Sequence, residues 1–326
     1  MEQQEPVGVH FASAGSFTTD ATGTISTGSI DSNNTPGLTA APLTGSLGAP
    51  DTYGRGTANF TYGGQASAFV YYIVNANKMY LMNIDPQTAT SPRSTGFMTS
   101  QVGDVGGNSF DNNALSSTAV LSLWGAISGM EPITSQTMGL LSVANGTLNA
   151  TLDITDQNTE LISQPFTAQS PTITPNGRGM VTLSNGTSTY VLVFYLDGIS
   201  NGYLVQQNAT DGSGGLLEAQ YPMPAAGFPT SLNGYLVGGT QFAMAPGPIT
   251  LNPLATLAFG NLTSNFTNAT FYIDTTTGRG LGTLTQTGVG VQPAALYIVS
   301  PTKLDILRFS TRGVDGNIDW LIQDIE

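Results

Sequence analysis

Three stretches set one arginine between two glycines: Tyr53-Gly54-Arg55-Gly56, Asn176-Gly177-Arg178-Gly179 and Thr277-Gly278-Arg279-Gly280. The chain has only six arginines, so three of them in one recurring motif is not scatter. A guanidinium fork offers two kinds of chemistry. It can cap backbone carbonyls or lie on an aromatic ring at the end of a sheet, or it can bind an anion in three like sites. No second basic residue stands near any of the three, which favours a structural turn. In that reading Gly54, Gly56, Gly177, Gly179, Gly278 and Gly280 supply the positive φ that a tight turn needs.

Other reactive groups are scarce. There is no Cys, which excludes disulfides, thiolate metal sites and a Cys nucleophile. His10 is the one histidine, so a Ser-His-Asp triad has a single base to draw on and histidine metal sites are excluded by count. A glycosidase would need two facing acids, and the pairs near in sequence are Asp153/Asp156, Asp211/Glu218 and Asp315/Asp319. All are read as lying in or beside turns, where Asp bonds its own backbone. Asp104–Asn113 and Asp211–Gly215 offer oxygen ligands for calcium, yet neither matches an EF-hand loop. The expectation is no catalytic residue, no cofactor and no metal.

Asn-x-Ser/Thr acceptors stand at Asn33, Asn59, Asn145, Asn149, Asn185, Asn208, Asn261, Asn265 and Asn268. They are either turn residues in an Asn- and Thr-rich chain or the anchors of a glycosylated surface. Tyr71, Tyr72, Phe194, Tyr195 and Tyr297 are candidates for lining a sugar or small-ligand pocket. Alternation places Tyr71 and Tyr72 on opposite faces, so one set belongs to a core. Trp124 and Trp320 fall in opening and closing strands and read as packing residues.

The elements that position these groups read as strands. An apolar segment follows each motif: Phe69–Val74, Val191–Leu196 and Ala295–Val299. From each Arg to the matching Tyr (Tyr72, Tyr195, Tyr297) the spacing is 17, 17 and 18 residues. No segment has helical periodicity, while Thr, Val, Tyr and Phe alternate between Gly and Asn turns. The fold class expected is all-β, three tandem antiparallel units of about 100 residues, with small barrels favoured over sandwiches because strand order is local. The units are residues 1–103, 104–222 and 223–326. Unit one lacks the opening strand that Ala119–Trp124 supplies to unit two, and Asp31–Pro42 reads as a loop by its Asn, Pro and Gly content. Each unit closes on a Gly, a short apolar stretch and a Gln (Gln101, Gln220, Gln323).

The pattern of a Gly-Ser-Phe hairpin, then Gly-Arg-Gly, then an apolar strand with Tyr resembles uncharacterised tandem β-repeats of large secreted proteins from soil bacteria. The resemblance implies secretion and repetition, and transfers no catalytic residue.

Only 9% of residues are charged, and the net charge of −13 argues against nucleic acid or an anionic membrane as partner. The acidic, lysine-poor surface suits an extracellular or cell-surface setting, including an acidic one. No apolar run is long enough for a membrane helix, and Met1–Pro6 has neither part of a signal peptide. The function expected is a non-catalytic structural protein, a surface fibre subunit or adhesin stalk, polymerising by strand addition at unit one. Its partners would be copies of itself, other surface proteins or glycans. A carbohydrate or small-ligand binding module is the alternative, and a carboxylate-dependent hydrolase ranks third.

Overall fold

Alternating Thr, Val and aromatic residues send successive side chains to opposite faces. Every regular element among the described residues is accordingly a strand, except one 3-10 turn at Asn112–Leu115. The computed structural model describes residues 12–323 apart from 35–36, 87–93, 105–108, 128–133, 156–159, 208–210, 222–226, 229–235, 241–248, 253–257, 261–265, 287–289, 302 and 310–317. No helix among the described residues is long and apolar enough to cross a membrane.

The strands form three antiparallel sheets. In unit one, β1 (Ala12–Thr19), β2 (Thr24–Asn34), β3 (Gly37–Leu47), β4 (Arg55–Tyr62), β5 (Gln65–Asn75), β6 (Lys78–Asn83) and β7 (Thr95–Thr99) are bonded in chain order. Unit two contains β8 (Ala119–Ile127), β9 (Thr134–Ala144), β10 (Thr147–Thr155), β11 (Glu160–Gln169), β12 (Arg178–Ser184), β13 (Thr189–Gly198), β14 (Asn201–Gln207) and β15 (Asp211–Ala219). These close into a barrel when β15 pairs with β8, so that no edge remains.

Unit three consists of β16 (Leu236–Thr240), β17 (Ile249–Asn252), β18 (Ala258–Gly260), β19 (Phe266–Ile273), β20 (Arg279–Gln286), β21 (Gly290–Ser300), β22 (Lys303–Arg308) and β23 (Ile318–Gln323). Its eight strands follow the same circular order as the barrel, open between β18 and β19. The sheet of unit one is the same order without the member that stands where β8 and β16 stand. Its β1 and β7 are the two ends of an open sheet.

Each unit has its own apolar centre. In β12 the inward positions are Gly179, Val181 and Leu183 while Met180 and Thr182 face out. The barrel interior is filled by Leu121, Leu123, Leu148, Leu152, Phe166 and their neighbours, with Phe110, Ala114 and Leu115 from the segment before β8 joining them. Tyr71 joins the core of unit one beside Ile25 and Phe60, and Phe194 that of the barrel. These two rings therefore pack the units from within and line no pocket.

One sequence reading is corrected here. Asp31–Pro42 belongs to the hairpin of β2 and β3. Pro42 is tolerated because β3 pairs with β4 only from Leu43 onward, so the missing N–H faces no partner strand on that side. Asp211–Gly215 is likewise strand, the start of β15.

Candidate functional site at the unit junctions

Each conserved-looking spacing has a simple origin: Arg55 is directly opposite Tyr72, Arg178 opposite Tyr195 and Arg279 opposite Tyr297 across a hairpin. Cross-strand neighbours share a face, so every unit presents one guanidinium beside one phenol on the outer side of its sheet. In units two and three that pair grips an aspartate of the unit before.

At the first junction the carboxylate is Asp31 of β2, fully buried. Arg178 donates from Nε to Oδ2 at 2.7 Å and from Nη2 to Oδ1 at 2.9 Å, and the Tyr195 hydroxyl donates to Oδ2 at 2.6 Å. An isolated buried carboxylate would cost several kcal/mol in lost hydration, roughly what bidentate pairing and further hydrogen bonds must offset. The Asp31 hydrogen bonds raise the Arg178 guanidinium above its usual range. Burial raises the Tyr195 phenol, and its hydrogen bond to Asp31 adds to this, so it stays protonated as a donor. Ser29 links the same corner, its hydroxyl donating to the Tyr195 oxygen at 3.2 Å and accepting from Asn176 Nδ2 at 3.1 Å.

The second junction repeats this arrangement one unit along. Asp153 of β10, also fully buried, accepts from Arg279 Nε at 2.8 Å, from Nη2 at 2.6 Å and from the Tyr297 hydroxyl. The backbone N–H of Ser163 adds a fourth bond at 2.8 Å. Regular alternation along β10 points this carboxylate outward, toward unit three, while β11 bulges opposite it and Ser163 there adopts a left-handed φ of 55°. Burial opposes the charge of Arg279, but hydrogen bonding to Asp153 together with the charge interactions of Asp153 and Tyr297 raises the guanidinium. Burial likewise holds the Tyr297 phenol far up, protonated.

A glutamine fastens each junction from the other side. Gln101 Nε2 donates to the carbonyls of Asn176 and Leu196 at 3.0 and 2.6 Å. Gln220 Nε2 donates to those of Thr277 and Ile298, both at 2.8 Å. The next residues follow suit, with Val102 N–H bonding the Asp197 carbonyl and Tyr221 N–H that of Val299. Gly177 and Gly278, at φ 80° and 70°, sit directly under these glutamines and under Phe110 and Phe228. A Cβ at either place would meet both neighbours, so the turn needs glycine for its φ and for close approach.

The expectation that both glycines of each motif supply positive φ is corrected: only Gly54, Gly177 and Gly278 do. Gly56, Gly179 and Gly280 are strand residues. The Tyr71 and Phe194 rings lie over the first two, and Ile273 and Leu296 lie near the third. The reading of Asp153 as a solvated turn residue is also overturned, since it is buried and bonded to four donors. Its outward position in β10 carries it into the seam with unit three, where Arg279 meets it. Asn33 is corrected as a glycan acceptor site: it is buried at the first junction, where its Nδ2 donates to the Gln206 carbonyl. Asn59, Asn145 and Asn149 are exposed, and Asn185 orders its own turn by accepting from Thr187 and Ser188 N–H. Asn208, Asn261 and Asn265 lie outside the described residues. Asn268 lies in β19.

Among the candidate acids, Glu218 pairs with Lys303 across the second junction. Asp104 accepts from the Asp111 N–H at 3.0 Å and Asp111 caps the 3-10 turn. His10, Asp156 and Asp315 lie outside the described residues, and Asp319 lies in β23. Among the described residues no group of three or more His, Cys, Asp or Glu could hold a metal ion. Beside the Glu218–Lys303 pair, Asp305 occupies the cross-strand position next to Tyr297. Burial pushes its carboxyl up to about 7, with Lys303 3.9 Å away opposing and Glu218 adding to the rise.

Sequence reasoning saw the arginines, the tyrosines and the terminal glutamines, placed Asp31 in a loop and Asp153 in a turn, and missed the role of both. A usable signal was present: each acid precedes the Arg of its own unit by 24 or 25 residues, in the two units that another unit follows.

No protein-family model and no curated protein matches the chain. Among solved structures it is similar to one described as "The Structure of Intact Ap-TbpB (N and C lobes)", with 10% identity over 94% of this chain and 68% of that chain. The TM-score of 0.24 is too low for that likeness to bear on fold or activity.

Proposed function

We propose that the protein is a non-catalytic extracellular structural protein, a stalk or surface fibre subunit, built by clamping β units in series and completed at unit one by a strand from a second molecule. The observation that carries this is the pair of like junctions. A buried Asp, an Arg, a Tyr and a Gln recur at both, and their bonds join units instead of surrounding a cavity. Such buried, directional ion pairs fix how two bodies sit. The open sheet of unit one supports the second half: where the barrel has β8 between β15 and β9, unit one has the free ends β7 and β1. An unpaired edge of that kind accepts an added strand.

Multi-angle light scattering over a range of concentrations, with and without a peptide of the β8 sequence Ala119–Ile127, tests the reading. Concentration-dependent assembly that the peptide caps supports it. A chain that stays monomeric throughout and ignores the peptide overturns it.

A further inference from the structure

The outer face of unit one carries the clamp residues, and no described residue is bonded to their guanidinium or phenol. Arg55 is exposed, and the ion pairs among the described residues are made by Arg178, Arg279 and Lys303. Tyr72 is 48% exposed, against 1% for Tyr195 and 0% for Tyr297 at the same cross-strand position. The surrounding residues repeat the contrast in part, since Val70, at the register position of Val193 and Ala295, is buried in all three units. Met82 of β6 corresponds by register to Val205 and Leu307. It is 43% exposed where they are wholly buried. Val74 and Tyr80 on the same face are half exposed. Tyr53, at the turn that Gln101 and Gln220 cap in the later units, is 91% exposed.

In units two and three this face is covered by the first strands of the preceding unit. Ala14 packs on Val193, Tyr195 and Val205, and Val120, Met138 and Leu140 pack on Ala295, Tyr297 and Leu307. Ala14 and Met138 stand directly across from the clamped Asp31 and Asp153. We infer that the β4–β6 face of unit one is a docking surface for the opening hairpin of a further β unit. That hairpin bears an aspartate for Arg55 and Tyr72, with a small or apolar residue opposite it. This goes beyond the strand slot described above, which lies between β7 and β1.

The charges on the page also say what the occupant is not. In a second copy of this chain Asp31 and Asp153 are already held by its own Arg178 and Arg279. Between Glu218 and Asp274 the sequence has no acidic residue, so the first strands of unit three carry no carboxylate to offer. The partner is therefore a unit of the same design with a free Asp, and copies of this chain do not stack end to end through this face.

The test titrates the full chain with a peptide of residues 134–155, the Asp153 hairpin, closed by linkers at both ends and checked for strand signal by circular dichroism. The chain's own Asp153 occupies unit three, leaving Arg55 as the free acceptor. Saturable binding is expected by calorimetry. It should weaken at least about tenfold for the Arg55→Ala chain and equally for the Asp153→Asn peptide, the loss on removing one partner of a desolvated pair. Arg55 is exposed, so its variant folds. A hairpin that does not bind, or that binds Arg55→Ala as well as wild type, overturns the proposal. So does self-association of the chain that Arg55→Ala abolishes, because it would give the face to a second copy.

Discussion

The two junctions share one clamp and one glutamine cap and differ in the seam around them. At the first, Asp31 meets Arg178 with 29% of the arginine side chain exposed, over a seam made by alanines, Val193, Val205 and Tyr203. At the second, Arg279 is 12% exposed, and Val120, Met138 and Leu140 meet Ala295, Val299, Leu307 and Phe309. The missing opening strand accounts for part of this, since Val120 comes from β8 and unit one has no counterpart among its described strands. A drier seam lowers the local dielectric, so the same three groups interact more strongly and cost more to separate.

The largest effect should come from removing the drier carboxylate. Asp153→Ala leaves Arg279 and a buried phenol unpaired, and urea denaturation should show a loss of about 3–5 kcal/mol. Asp31→Ala should cost less, about 2–3 kcal/mol, because water reaches Arg178. Equal losses would remove the proposed role of the seam. The phenols sharpen the point: Tyr297→Phe should cost about 1–3 kcal/mol and Tyr195→Phe about 1 kcal/mol, read in the same way.

Proton dependence should separate the junctions too. Where the second has Asp305, the first has Tyr203, which shares a hydrogen bond of 2.8 Å with Thr99 and meets the Phe97 ring edge-on. The Asp305 carboxyl is held up at about 7 in the folded protein and titrates near 3.9 when unfolded. The folded state thus binds the proton more tightly. The stabilisation is complete below about pH 4 and lost as pH rises to about 7. Asp305→Asn should flatten stability across that window, while wild type declines; parallel profiles would refute the assignment. The smallest effect belongs to Arg55→Ala, within about 0.5 kcal/mol in the isolated chain, since nothing described is clamped there.

Much of this was written plainly in the chain. Arg and Tyr 17 or 18 residues apart are cross-strand neighbours in a long hairpin, so the spacing encoded the contact. No apolar run like Ala119–Trp124 precedes β1 in the sequence, and no such strand stands there among the described residues. The acids were hidden for a physical reason: Asp31 sits in a Gly-, Asn- and Ser-rich stretch with the composition of a turn, Asp153 stands near the end of its strand, and only the partner unit makes either a buried anion. Pro42 misled in a related way, because a proline beyond the end of its neighbour's pairing breaks nothing. The glutamines were noticed at the unit ends, but their work is on carbonyls of the next unit, contacts that periodicity within one unit cannot reveal.

The central claim is that the aspartate of one unit and the arginine of the next act as a single clamp. A double-mutant cycle on Asp153→Ala and Arg279→Met, followed by urea denaturation, measures this most directly. Each single change should be costly and the double change should cost little more than either, a coupling of about 2 kcal/mol or more. Losses that simply add, to within about 0.5 kcal/mol, would contradict it.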